Sequence, residues 1–537
     1  MPLAAILVLQ TGLLLWQASH TGVTVDEPAH LVSSLLYRQG RDILLPRDMP
    51  PLVKMVAGTG LQPEAAGLNP AAVKAGQWEW EFANQLMHRD DSRWIGPVFS
   101  AARRPMLLFP VLTTVLVFLW ARANLGQVPA VAAAAIFAFD PTSLAHGALV
   151  KNDHAATFAY FCFAAAAWRY SHRPALGSLS LLAVAAWMAV SAKLSLVVVV
   201  PIAAILIPFV VRSRFAVLHL GVFVTILLSG MYSASYADLA ALTPHDLAHS
   251  SIGKLIPVGC HPLLTGYPVP RHYWNGLDSL VYWNGNGDNA IYLLGRHVPS
   301  GSPWYFLTAI LVKTPEPFLV LLAAGAWLLR GLGWGRALFL ILPPALYIGA
   351  ASATAMQLGI RLILPALPFA ALLAAVPFCR WPRTAAVALF ISLTATGVNF
   401  PNGIGYFNLS SGGAGNGLRY LADSNIDWGQ DLPALRRWVD QEKAPKMRLY
   451  YFGNDNPFRF FNDNEIEPQA PPWGPDLVKS ELLVPEPGLY AISANLLPGH
   501  AFPVQFRNYF HYFRDTKPLA IAGTSIYLFH VEANGVK

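Results

Sequence analysis

The stretch VKNDHAATFAYFCFAAAAWRYSHR, residues 150–173, opens on Lys151, Asn152 and Asp153, turns apolar at about 154–169, and closes on Arg169, His172 and Arg173. Its apolar run approaches the length of about 20 residues that a helix needs to cross hydrocarbon. The arginines at its far end mark that end as cytoplasmic, because membrane loops on the inner side carry the excess of Lys and Arg. Lys151 and Asp153 then stand at the outer end. Ionisable groups at membrane depth are costly and face cavities or partners.

The whole chain reads the same way. Of its 537 residues 54% are hydrophobic and 12% charged, where a soluble domain carries roughly 25% charged residues. Further apolar runs recur at roughly 3–19, 105–121, 128–146, 176–192, 194–211, 215–233, 315–330, 337–352, 361–378 and 384–400. The reading is an α-helical polytopic membrane protein of about eleven spans. The first run lacks a basic n-region and a small-residue cleavage site, and so is expected to be a retained span rather than a signal peptide. Short connections carry Arg122, Arg169 and Arg173, Arg212 and Arg214, Arg330 and Arg336, and Arg380 and Arg383, with no Asp or Glu among them. These are cytoplasmic by the positive-inside rule. The net charge of +7 therefore reflects membrane topology, not a nucleic-acid partner. Cys162, Cys260 and Cys379 are too dispersed for a disulfide framework or a CxxC metal site.

The other face holds two long loops, about 20–104 and 234–314, and everything after residue 400. Residues 1–400 thus form the transmembrane unit. Residues 401–537 alternate β-rich runs (MRLYYF, GLYAISANLL, IAGTSIYLFHV) with helix-like DLPALRRWVDQ and read as a small extracytoplasmic α/β domain. No internal repeat is evident.

With the orientation set, Lys151, Lys193, Lys313 and Arg361 all lie at outer ends of spans, against the basic bias. Asp26, Glu27, Asp48 and Asp153 lie at the same level. Each has an ordinary alternative. Lysines snorkel to headgroups, Asp153 and Asp26 can cap helices, and Asp48 can serve a turn before Pro50 and Pro51. Capping does not require an adjacent acidic pair such as Asp26 and Glu27, and eight charged groups on one plane point to a polar cavity. A polyprenyl-phosphate sugar suits such a cavity. Lys and Arg hold the phosphate, a carboxylate deprotonates an acceptor hydroxyl, and the departing phosphate needs no proton.

The motifs TVDEPAHL, RDMPPLVK, KNDHAATF, SAKLS and GIRLILPALPF, with YLLGRHVPSGSPWYF, LVKTPEPF and SNIDWGQDL, resemble the GT-C glycosyltransferases of the protein O-mannosyltransferase and aminoarabinose transferase type. The resemblance runs over nearly the whole chain. It implies Asp26 as catalytic base and Glu27 as its neighbour in the acceptor or sugar site. It further implies Asp48 and Asp153 as acids of the sugar or metal site, and Lys193 and Arg361 as cations on the lipid phosphate. Met49 departs from the Lys or His of relatives, and Lys54 is the candidate to substitute for it. The setting implied is a bacterial inner membrane with the site on the periplasmic face.

The expected reaction is an inverting single displacement of a hexosyl or pentosyl group to a hydroxyl on protein, lipid or glycan. Asp26, Glu27 and Asp153 are placed in catalysis. Asp48, Lys54, Lys151, Lys193, Lys313 and Arg361 are placed on substrate. Mutual repulsion and desolvation are expected to raise the pKa of the Asp26–Glu27 pair. Mg²⁺ or Mn²⁺ is a candidate cofactor on Asp26, Asp48, His30 or His154, although no spacing is diagnostic. Residues 423–431, DSNIDWGQD, lack the glycine of a calcium loop, with Trp428 in its place, and read as a turn and N-cap for a helix near Leu432. The aromatics of loop 234–314 suit either sugar stacking or an interfacial belt. The competing class is a transporter or lipid-linked-sugar flippase without chemistry, which would be expected to show inverted repeats.

Overall fold

The computed structural model describes residues 2–40, 49–62, 79–89, 91–211, 214–235, 239–285, 290–472, 480–500 and 502–532. Asp48 and Arg212, both singled out from the sequence, lie outside the described residues.

Among the described residues five helices are long and apolar enough to cross a membrane: Pro2–His20, Ile95–Asn124, Arg214–Ala234, Trp334–Ser352 and Ile360–Cys379. Two bent pairs bring the number to seven. About eleven were expected, and these helices and bent pairs contain seven of the expected runs. The run at 128–146 is bent by 58° between Gln127–Ala138 and Pro141–Gly147. Asp140 caps the second piece by accepting from the Ser143 backbone N–H at 2.9 Å, which ends the first. The run at 315–330 turns 117° against Tyr305–Lys313, with Pro315 at the N-cap. The runs at 176–192 and 194–211 form the shorter helices Leu176–Ala192 and Leu194–Val210. Those at 154–169 and 384–400 fall within helices Asn152–His172 and Pro382–Asn399.

Small residues let these helices approach closely. Ala132, Ala133 and Ala134 pack in one buried core with Ala155, Ala156 and Ala159. Large apolar side chains instead face outward, among them Ile205, Phe209, Val217 and Phe390, as a lipid-facing belt requires. The first outer loop folds into Glu27–Arg38, Pro51–Thr59 and Glu79–Met87. The second carries the ribbon Leu239–Ala241/Pro268–Pro270, the helix Arg271–Gly285 and the hairpin Ile291–Leu293/Arg296–Val298.

The three expected β-rich runs lie in a five-stranded mixed sheet, in which Ile466–Gln469 is a strand that the sequence reading did not include. Met447–Tyr450 runs parallel to Ile466–Gln469 on one side and to Gly488–Ser493 on the other. Ile526–Val531 and Ala520–Ala522 complete the sheet antiparallel. One face is covered by Leu432, Leu435 and Val439 of the helix Leu432–Glu442. On the other side Tyr490, Ile492 and Phe510 share a core with Phe306, Ile360 and Ile363. The sheet is therefore packed on the helix ends around Tyr305–Lys313 and Ile360–Ala366.

Candidate active site

Asp26 is delivered by an extended segment fastened to the C-terminal unit. Gly22 N–H donates to the Gln430 carbonyl at 3.1 Å and Val25 N–H to the Trp428 carbonyl at 2.9 Å. Between them, Val23 N–H donates to Asp455 Oδ2 at 3.0 Å. A β-carbon on Gly22 would lie 2.7 Å from the Gln430 oxygen, so only glycine fits this approach. Asp26 then occupies the N-cap position of Glu27–Arg38, yet its side chain makes no capping hydrogen bond. The carboxylate points instead to Lys151, whose Nζ is 2.7 Å away, and to Arg361, whose Nη2 is 3.5 Å away.

The cations stand where helices are interrupted. Lys151 is the extended N-cap of Asn152–His172. Lys193 is the extended C-cap of Leu176–Ala192. Arg361 sits in the 3-10 stretch Ile360–Ala366. Arg361 Nη1 and Lys193 Nζ each lie 3.4 Å from the Asp153 carboxylate. The guanidinium also lies over the Trp428 ring at 4.1 Å and donates from Nε to Ser424 Oγ at 2.8 Å. A β-carbon at Gly359 would fall 2.3 Å from that same Ser424 oxygen. His30 Nε2 lies 3.1 Å from Lys151 Nζ.

Burial alone would raise the Asp26 carboxyl, but Lys151 and then Arg361 outweigh it and hold the group below its ordinary value. This corrects the expectation of a raised Asp26, because the two cations beside it outweigh burial. Burial and the neighbouring Lys151 push His30 well below its ordinary value. A neutral His30 accepts from the ammonium.

Asp26, Lys151, Lys193 and Arg361 line one chamber of about 580 Å³. Its other walls are largely apolar and aromatic, including Trp80, Leu280, Trp283, Phe306 and Leu362. The chamber thus joins a cluster of charge to an apolar enclosure. Of the described charged residues that line the chamber, three are cations and one, Asp26, is a carboxylate.

Five expected site residues are placed elsewhere. Glu27 is fully buried. Its carboxylate binds Arg103 in a fork, Nε to Oε1 at 2.7 Å and Nη2 to Oε2 at 2.5 Å. It also accepts from Thr24 N–H at 2.9 Å and Val150 N–H at 3.0 Å. Through these bonds Glu27 ties the Asp26 segment to the Lys151 segment, and it does not line the chamber. Asp153 is 1% exposed and reaches the chamber only through Lys193 and Arg361, as a positioning residue. Lys313 is buried and donates to the Ile404 and Asn425 carbonyls at 2.8 and 2.5 Å, with Phe407 beneath it at 4.5 Å. It fastens the C-terminal segment rather than substrate. Lys54 is buried too, 3.3 Å from His272 Nδ1, and not in the chamber wall. His154 Nε2 bonds the Ser143 carbonyl at 2.9 Å. Among the described residues no group of three or more His, Cys, Asp or Glu converges on a metal position.

Residues 423–431 organise the site, which their sequence did not reveal. Trp428 and Gln430 hold the Asp26 segment, Ser424 and Trp428 hold Arg361, and Asn425 holds Lys313. Helix Leu432–Glu442 follows as expected, with Asp431 at its N-cap. The Asp431 side chain instead accepts from Thr524 and Ser525 N–H at 2.8 and 3.0 Å, locking the turn between the last two strands. Asp427 accepts from Gly429 N–H at 3.0 Å. Burial pushes Asp423 up to about 6 and Asp427 up to about 7. Both values are raised on folding, so between an unfolded value near 3.9 and these values the native state holds more protons than the unfolded chain. Stability contributed by these groups therefore falls as pH rises through 4–7. The melting temperature is expected to rise from pH 8 to pH 6, and less so in Asp427→Asn. An equal pH dependence in the two proteins would remove Asp427 from this account.

No family model and no curated protein matches the chain. Similar solved structures include ArnT from Cupriavidus metallidurans bound to undecaprenyl phosphate, with 12% identity over 98% of this chain and 97% of that one, TM-score 0.46. The apo state of the same protein has 12% identity over the same shares, TM-score 0.48. The apo oligosaccharyltransferase of Archaeoglobus fulgidus has 12% identity over 73% of this chain and 56% of that one, TM-score 0.38.

Proposed function

We propose that the chain is an inverting glycosyltransferase that moves a sugar from a polyprenyl-phosphate donor to a hydroxyl acceptor at the outer face of a membrane. One observation carries this reading. A mostly apolar chamber ends in Lys151, Lys193 and Arg361 around Asp26, three cations to one carboxylate on its lining. A sugar-phosphate diester on an isoprenoid tail carries one negative charge and a long apolar body, and complements both features.

In this mechanism the acceptor oxygen bonds to the anomeric carbon as its proton passes to an Asp26 carboxylate oxygen. The bond from that carbon to the phosphate oxygen breaks, and its electron pair leaves on the phosphate. Lys151, Lys193 and Arg361 stabilise the charge that develops there. Donor binding also prepares the base. Without donor, Lys151 and Arg361 hold the Asp26 carboxyl low. As the phosphate draws on the same cations, that restraint weakens and Asp26 becomes more basic. A vacant site would keep its carboxylate in ion pairs and present little basicity to water.

The experiment is release of free polyprenyl phosphate from a labelled lipid-linked sugar, with and without Arg361→Gln. The expected result is turnover by the wild type and loss of both turnover and donor affinity in the variant. Movement of intact donor between leaflets with no release would instead establish a flippase.

A further inference from the structure

We propose that the segment from about 251 to 267 is an outer-leaflet anchor, an apolar surface that docks into the lipid interface beside the chamber. It rests on the chain's crossing a membrane and not on glycosyl transfer. Four large apolar side chains project from it: Leu255, Val258, Leu263 and Tyr267 are 70%, 78%, 70% and 69% exposed. Between Leu247 and Pro270 the sequence holds a single charged side chain, Lys254. Such a cluster is costly in water, and contiguous exposed apolar surface marks a contact with protein or membrane.

The segment is nonetheless built and fastened from behind. Leu247 is buried, Arg271 pairs with Asp246 at 3.1 Å, and Ile252 N–H donates to Asp278 Oδ1 at 2.8 Å. What remains outside is therefore a presented face rather than an unfolded loop.

Continuity selects lipid as the occupant. Val217, Val224, Leu228 and Tyr232 form an exposed stripe at helical spacing along Arg214–Ala234, one of the candidate spans. The strand Leu239–Ala241 begins shortly after that helix and pairs with Pro268–Pro270. Tyr232 Oη donates to the Pro268 carbonyl at 2.9 Å. Both ends of the excursion are thus closed at the rim of a lipid-facing helix, and Tyr267 extends its stripe. Lys254 can lay its stem on the same surface and keep its ammonium at the headgroups. Helix Arg271–Gly285, which follows directly, lines the chamber with Gly276, Ser279, Leu280 and Trp283, so the anchor would hold one chamber wall at the depth of the lipid surface.

Cys260 is exposed within the segment and serves as a probe. The full-length protein carrying Cys162→Ala and Cys379→Ala is labelled at Cys260 with an environment-sensitive dye and placed in phosphatidylethanolamine–phosphatidylglycerol vesicles. Emission is expected to shift to the blue, to be quenched by lipids with brominated chains and to resist aqueous iodide. The same label in a Leu255→Glu, Val258→Glu, Leu263→Glu variant is expected to lose the shift and become iodide-sensitive. Iodide quenching without lipid quenching in the unmodified segment overturns the proposal. So does a blue shift that disappears on dilution of protein in lipid, which would show a second copy as the occupant.

Discussion

Asp26→Asn is expected to lower sugar transfer by about 10²–10⁴-fold, the usual contribution of a positioned general base, while donor binding persists. The amide keeps the shape of the carboxylate, so the extended segment through Val25 and its bonds to Trp428 have no reason to move. Electrostatics sets the sign of the binding change. Removal of one negative charge between Lys151 and Arg361 leaves a larger positive excess. Polyprenyl phosphate should therefore bind at least as tightly as in the wild type. Single-turnover release of the labelled donor, paired with equilibrium binding of the product lipid, separates the two effects. Turnover close to normal removes Asp26 from the role of base. Loss of binding in step with turnover would make it a structural residue.

The second large effect lies one residue further on. Replacing Arg103 by Leu leaves the Glu27 carboxylate buried without its charged partner, at a cost of about 3–5 kcal/mol. The two side chains are 2% and 0% exposed, so water offers little compensation. The expected result is a much lower unfolding temperature in detergent and poor recovery of folded protein. The paired replacement Glu27→Gln, Arg103→Met removes both charges together and is expected to recover much of the lost stability. That comparison distinguishes a brace from a catalyst. If Glu27 acted on substrate, Glu27→Gln would fold normally and fail only in turnover, and Arg103→Leu would leave unfolding unchanged.

The chamber was legible in sequence because membrane topology makes charge informative. Arginines at the inner ends of spans set the orientation, and Asp26, Lys151, Lys193 and Arg361 then stood out on the opposite plane. The structure places all four on one wall. What separated Glu27 from Asp26 was not legible, since Arg103 lies 76 residues away and has no local pattern tying it to an acid. Lys313 misled for a related reason: at the end of an apolar helix it looks like its fellow cations, and only the Ile404 and Asn425 carbonyls reveal a fastener. Each expected apolar run has its helix or bent helix pair, but the bend at Asp140 was not legible because a hydropathy window joins the two pieces. Three β-rich runs of the C-terminal sheet were legible because their apolar and aromatic content is local, whereas Ile466–Gln469 carries no such run. The part played by residues 423–431 was hidden because much of it passes through backbone groups, which leave no trace in residue type.

The fastening of the Asp26 segment to the C-terminal unit also bears on how the protein is made. Val23 and Asp455 are 432 residues apart in the chain. At about 5–20 residues per second of synthesis, Asp26 waits on the order of 20–90 s after its own emergence before Asp455, which fastens its segment, exists. During that interval the membrane helices can insert, yet the groups that would handle substrate are not assembled. Completion of the last strands outside the membrane is thus a checkpoint: a chain arrested before about residue 455 would be an inserted bundle without an organised reaction centre.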